Sequence, residues 1–152
     1  MTASASAVRR IWRTVAVAGL AFGARDARAQ ISVSGSPAAM KVTAAVAGSA
    51  PTAVSNALTT YSLGSNPAGH FTITAHINSP MPAGVTLQIT LAASKGVSAG
   101  AVTLSTVAQN VVTGITRKMA GQGITYNLSA TAAAGVVPLQ TRIVTLTQIN
   151  TP

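Results

Sequence analysis

The chain has 152 residues, with 10 lysines and arginines, 1 acidic residue and no cysteine. Its length fits a single domain built around one core. The missing cysteines exclude disulfides, thiol nucleophiles and thiolate metal sites. Because Asp26 is the only acidic residue, catalysis by paired carboxylates and the usual calcium sites are excluded as well.

Residues 1–29 have the pattern of a secretory signal peptide. A basic region ends at Arg13, an apolar stretch covers residues 14–23, and small residues stand at 27 and 29, where a signal peptidase requires them. The apolar stretch is about half of the roughly 20 residues that span a bilayer, so we expect no transmembrane anchor. The pattern predicts export to the periplasm, the cell surface or the extracellular space, with residues 30–152 as the mature domain.

Residues 1–29 are compatible with two export routes. Arg9 and Arg10 resemble the pair of a twin-arginine signal, but Arg13 stands where that signal has an apolar residue, which favours the general secretion route. A retained amphipathic N-terminus is the other alternative. Cleavage after residue 29 would remove five basic residues and leave a mature net charge of +5.

Apolar and hydroxyl residues alternate along the mature region with a period of two, which is typical of half-buried strands. The alternation is clearest over residues 70–77 and 85–91, and we expect these two strands to pair antiparallel across the loop at 78–84. Residues 54–63 fit a strand or, over 53–58, a helical turn.

The other predicted strands are short and lie at spacings near ten residues. They are residues 31–35, 42–46, 101–106, 110–115, 124–130 and 144–147, and turns are expected at 64–69, 95–100 and 117–123. About seven to nine such strands predict an all-β fold, a single antiparallel β-sandwich.

The segment from Ile124 to Leu146 consists of two alternating runs around a connection of small residues that contains Gly135 and Pro138. This pattern predicts a β-arch or a hairpin. The tyrosine at 126, the glycine turn and the closing VTLT run resemble the last two strands of an immunoglobulin or fibronectin type III sandwich, as found in exported bacterial β-sandwich proteins. The resemblance implies an immunoglobulin-like fold in which the Tyr126 hydroxyl braces a corner.

General acid and base catalysis most often uses carboxylates and histidine, and of these the mature region has only His70 and His76. Six residues apart in one strand, they would lie on its polar face about 20 Å from each other, too far to share a metal ion. No carboxylate is available to orient either ring. We therefore expect solvated histidines, no enzyme activity and no cofactor or metal.

Four basic residues form the candidate contact with an anionic polymer: Lys95, Arg117, Lys118 and Arg142. Their alternative role is to keep an otherwise uncharged β-protein soluble and to protect sheet edges. Nucleic acid is not an expected partner, because the aromatic residues Tyr61, Phe71 and Tyr126 are predicted to face inward and leave no stacking platform.

Two functions remain open from the sequence. The first is an exported, non-enzymatic structural or adhesive protein that pairs edge strands with itself or with another surface protein, through residues 30–46 or 142–149. Pilin-like subunits, which assemble in this way, are similar in size and composition. The second is a monomeric binding module for an anionic cell-surface polymer, which predicts that the four basic residues cluster on one face.

Overall fold

The computed structural model describes residues 31–43, 49–64 and 70–151. The predicted signal peptide at 1–29 lies outside these residues. The strands of the described part are β1 (Ile31–Ser34), β2 (Val54–Leu63), β3 (His70–Ile77), β4 (Val85–Leu91), β5 (Val97–Ser98), β6 (Val102–Thr103), β7 (Gln109–Ile115), β8 (Met119–Ala130) and β9 (Val144–Thr151). A single 3-10 turn, Ala132–Ala134, follows β8.

The strands form two antiparallel sheets with one core between them. One sheet has the strand order β1-β2-β8-β4-β6, and the other has the order β5-β7-β3-β9. The core is apolar and draws side chains from both sheets, as illustrated by Ile73 of β3 and Ile89 of β4, neither of which is exposed. The prediction of an all-β antiparallel sandwich is confirmed.

The strands β3 and β4 begin and end where the alternation predicts, but they do not pair with each other. β3 lies between β7 and β9, whereas β4 lies between β8 and β6 in the facing sheet. The predicted antiparallel pair is therefore wrong. The loop at 78–84 crosses between the sheets, so the apolar faces of the two strands meet across the core, about 10 Å apart.

The predicted turn at 117–123 is also wrong over most of its length, because β8 already begins at Met119. The Met119 side chain is only 3 % exposed, and the residue pairs with Leu63 of β2. Gly121 has a φ of 62° and interrupts the ladder locally. The glycines and the glutamine of this segment are typical of a turn, so the sequence does not indicate that the strand begins here. In the fold, burial of Met119 stabilises the start of the strand.

Three further segments differ from the prediction. Of the predicted strand at 42–46, residues 42 and 43 are not in a strand and the rest lies outside the described residues. The predicted strand at 101–106 contracts to β6, although Leu104 is buried as expected. Residues 54–63 form a strand, so the helical-turn alternative at 53–58 is wrong.

The segment from Ile124 to Leu146 is a β-arch. β8 belongs to the five-stranded sheet and β9 to the four-stranded sheet, so the alternative of a hairpin is wrong. Inside β9 the predicted orientation is confirmed, since Val144 and Leu146 are half-buried while Thr145 and Thr147 are exposed. The arch thereby places β9 at the edge of its sheet, beside β3.

Candidate functional site

The sheet edges differ greatly in length. β5 and β6, at the edges on one side of the sandwich, have two residues each. On the other side, β1 has four residues and β9 has eight. Both of the segments predicted as edges thus contain an edge strand. Short edge strands resist pairing with another chain, which leaves β9 as the longest edge of the described part.

One side of β9 pairs with β3 in continuous register, from Val144 opposite Ile77 to Thr151 opposite His70. No strand of the described part pairs with its other side. Just before the strand, the Asn78 backbone N–H donates to the Ile143 carbonyl at 3.1 Å, and the Ile143 N–H donates to Asn78 Oδ1. Ile143 therefore directs its backbone groups toward β3.

The direction of the other backbone groups follows from this starting point. In an antiparallel pair, successive residues of a strand direct their N–H and C=O groups alternately toward the partner and away from it. Odd-numbered residues of β9 thus bond to β3, and the backbone groups of Val144, Leu146 and Asn150 point away from it. These three residues offer backbone donors and acceptors to an added strand.

The side chains of β9 do nothing to prevent such pairing. The strand VTLTQINT contains no charged residue, no proline and no glycine, and its register with β3 shows no bulge. Charges, prolines and bulges are the usual means by which proteins protect an edge. On its outer face, threonines at 145, 147 and 151 accompany Ile149, which is 46 % exposed.

A cleft of about 610 Å³ opens between the two sheets on the side of β1 and β9. Val33 of β1 and Val144 of β9 lie on its two sides, and Thr59 and Tyr126 of the five-stranded sheet also line it.

Arg142 lines the cleft as well. Its guanidinium donates to the Pro80 carbonyl at 2.8 and 3.2 Å and to Gln140 Oε1. This arginine therefore ties together the loops at 78–84 and 135–143.

A bulge in β2 changes which residues of the strand face the interior, from the even-numbered residues before it to the odd-numbered residues after it. The register with β8 shifts between Asn56 and Thr59, and the Leu58 N–H donates to Asn56 Oδ1 at 3.2 Å. As a result Leu58 is 69 % exposed while Thr59 is 1 % exposed. The Thr59 hydroxyl has no hydrogen-bond partner within the described residues, which is costly for a buried polar group.

Replacing Thr59 by valine is expected to raise the free energy of unfolding by about 1 kcal/mol, because valine keeps the shape and removes an unpaired hydroxyl. Urea denaturation measures the change. The half-buried neighbour Thr60 is the control, and Thr60→Val is expected to stay within about 0.5 kcal/mol of the parent. A loss of stability in Thr59→Val would mean that the hydroxyl is hydrogen-bonded in the folded protein.

Both tyrosines are buried, as predicted, but the hydroxyl contact expected of Tyr126 is found at Tyr61. The Tyr61 hydroxyl donates to the Ala92 carbonyl at 2.6 Å and links β2 to the segment after β4. Burial raises the pKa of Tyr61 from 10.0 to about 12 and also raises the pKa of Tyr126. Within the described residues no hydrogen bond joins the Tyr126 hydroxyl to another group. The hydroxyl-to-backbone bond predicted for Tyr126 is therefore made by Tyr61 instead.

The structure brings three of the four predicted basic residues to one end of the sandwich. Arg117 and Lys118 lie in the connection between β7 and β8, and the Lys95 N–H donates to Met119 Sδ at 3.3 Å. All three are exposed. Arg142 lies just before the start of β9, at the other end of the sandwich, roughly 20 Å away along the strands. The clustering of all four residues that the polymer-binding hypothesis predicts is not found.

The histidines lie on the outer face of β3, where His70 is exposed and His76 is half-buried. They stand opposite Thr151 and Thr145 of β9. In the part of the chain that the structure describes, no group of three or more metal-ligating side chains comes together. No described helix has the length and hydropathy that a membrane span requires.

The chain matches no family model, no curated protein and no solved structure. The features of the molecule that bear on its function are therefore the exposed edge of β9, the adjoining cleft and the distribution of charge.

Proposed function

We propose that this protein is an exported, non-enzymatic structural or adhesive subunit that assembles by strand addition at β9. The observation that supports the proposal is the eight-residue edge without charge, proline or bulge. An added strand gains backbone hydrogen bonds along the whole length of such an edge. Export is supported by the signal-peptide pattern of residues 1–29.

The alternative function, a monomeric module for an anionic polymer, receives less support. Its contact surface would contain Lys95, Arg117 and Lys118 but not Arg142, whose guanidinium is held by Pro80 and Gln140. Three exposed cations attract anions only weakly at physiological salt, because solvent and ions screen them. Affinity for such a polymer would fall steeply as the salt concentration rises, whereas strand addition would be nearly insensitive to salt.

The test compares the mature chain from residue 30 with its Asn150→Pro variant by size-exclusion chromatography and light scattering, over a hundredfold concentration range at two salt concentrations. Proline removes an N–H that points away from β3 and places a ring on the open edge, while the bonds to β3 stay. We expect the parent to form larger species at both salt concentrations, and the variant to need at least tenfold more protein to do so.

The matched control is Asn150→Ser, which keeps the N–H and is expected to associate like the parent. A parent protein that stays monomeric throughout would contradict the proposal. In that case, binding of the monomer to a polyanion that is lost at high salt would support the alternative.

A further inference from the structure

The partner of β9 can be deduced from the geometry and charge of the strand. Because the mature chain carries a net charge of +5 and no acidic side chain, two copies repel each other least where the surfaces in contact are uncharged. β9 is such a surface over its full length. The other edge on that side, β1, has only four residues and offers half the backbone groups.

The alternation of the backbone limits how two β9 strands can pair. An antiparallel pair needs residues that direct their groups outward to stand opposite each other, and in β9 these include Val144, Leu146 and Asn150. Two registers of this kind overlap seven residues of the strand, and the one that includes Val144 places it opposite Asn150 of the second copy. Thr147 then stands opposite Thr147 of the second copy, on a twofold axis.

This register also brings compatible side chains together on the outer face of the sheet. Thr145 of one copy stands opposite Ile149 of the other, and both residues are exposed in the single chain. Pairs of threonine with threonine and of threonine with a β-branched apolar residue are favourable neighbours across strands. No like charges are placed opposite each other.

We infer that the partner of β9 is β9 of a second copy of this chain, paired antiparallel about a twofold axis at Thr147, so that the four-stranded sheets of two copies form one continuous sheet. The interface is isologous, and both copies contribute the same strand. This inference rests on the proposed function and adds to it the partner and the register.

The absence of cysteine makes the register measurable with single substitutions. Thr147 lies in a non-hydrogen-bonded position of the proposed pair, where the Cα atoms are about 4.5 Å apart and a disulfide fits. In a glutathione redox buffer we expect the Thr147→Cys variant to form a covalent dimer in most of the protein. The control Thr72→Cys lies on the same face but on β3, and should form at least tenfold less.

Mixtures of variants separate the possible registers. Thr145→Cys mixed with Ile149→Cys should give a mixed disulfide, whereas a shift by one step in either direction would instead join 145 to 147 or 147 to 149. Dominance of one of the shifted pairs would overturn the register. A parent chain that does not associate in light scattering, together with no crosslink at 147, would overturn both the inference and the proposed function.

A third result separates the two proposals. If the parent associates but Thr147→Cys crosslinks no better than Thr72→Cys, the twofold pairing of β9 is overturned while assembly stands. A crosslink of Ser32→Cys on β1 would then place the contact at the other edge strand.

Discussion

Replacing Ile73 by alanine is expected to lower the free energy of unfolding by about 2–5 kcal/mol. Ile73 is 0 % exposed and lies on β3, between β7 and β9. The substitution removes three buried carbon atoms and leaves a cavity in a close-packed interior. The chain has no disulfide to compensate, and single domains have only about 5–15 kcal/mol of stability in total.

Urea denaturation followed by circular dichroism measures the effect of Ile73→Ala. The matched control is Ile143→Ala, which deletes the same atoms from a side chain that is 61 % exposed and leaves the backbone bonds to Asn78 unchanged. The control should cost less than about 1 kcal/mol. Equal losses in the two variants would contradict the placement of Ile73 in the core.

Replacing Gly35 by alanine is expected to lower the free energy of unfolding by about 2–5 kcal/mol, from two causes. Gly35 has a φ of 82°, a conformation that costs an L-residue about 1–2 kcal/mol. A Cβ atom at this position would also lie 2.6 Å from the Leu58 carbonyl oxygen, and relief of such overpacking costs about 1–3 kcal/mol. The substitution should loosen β1, which ends at Ser34.

Two other glycines separate these causes. Gly100 has a φ of 74° but open space around the Cβ position, so Gly100→Ala should show the cost of the backbone alone. Gly64 has neither a positive φ nor a neighbour within 4 Å, and Gly64→Ala should change little. The measurements are urea denaturation for all three variants and hydrogen exchange of the β1 amides in Gly35→Ala. A loss in Gly35→Ala no larger than in Gly100→Ala would show that the chain shifts away from Leu58.

The close contact at Gly35 also bears on the cleft. Gly35 lies against the bulge of β2 that turns Leu58 outward and Thr59 inward, and both Gly35 and Thr59 line the cleft. Loosening of β1 would widen the side of the sandwich on which β9 is exposed. The effects of Gly35→Ala on stability and on association are therefore best measured in the same preparation.

The candidate site could be predicted only in part. Terminal segments were expected at the edges, and β1 and β9 are indeed edge strands. The sequence could not show that β9 is the longest edge. The predicted strand at 101–106 contracts to two residues, and a two-residue strand, β5, forms inside the predicted turn at 95–100, both as a result of packing. Nor could it separate Arg142 from the other basic residues, since that depends on which end of the sandwich each loop reaches.

The properties that depend on neighbouring residues follow from the sequence alone. The alternation in residues 70–77 and 85–91 set the bounds of β3 and β4 and the faces they bury, because a period of two assigns successive side chains to opposite sides of a strand. Composition likewise excluded disulfides and thiolate sites before any fold was known.

Which strands are neighbours depends instead on tertiary packing. A strand with one apolar face can bury that face equally well when it pairs beside the preceding strand or when it lies across the core from it. The loop at 78–84 is long enough for either arrangement. Burial of Met119 extended β8 into a glycine-rich segment, and the bulge of β2 exchanged Leu58 for Thr59 in the interior. These outcomes depend on contacts between residues far apart in the chain, where the gain from filling a shared core outweighs local preference.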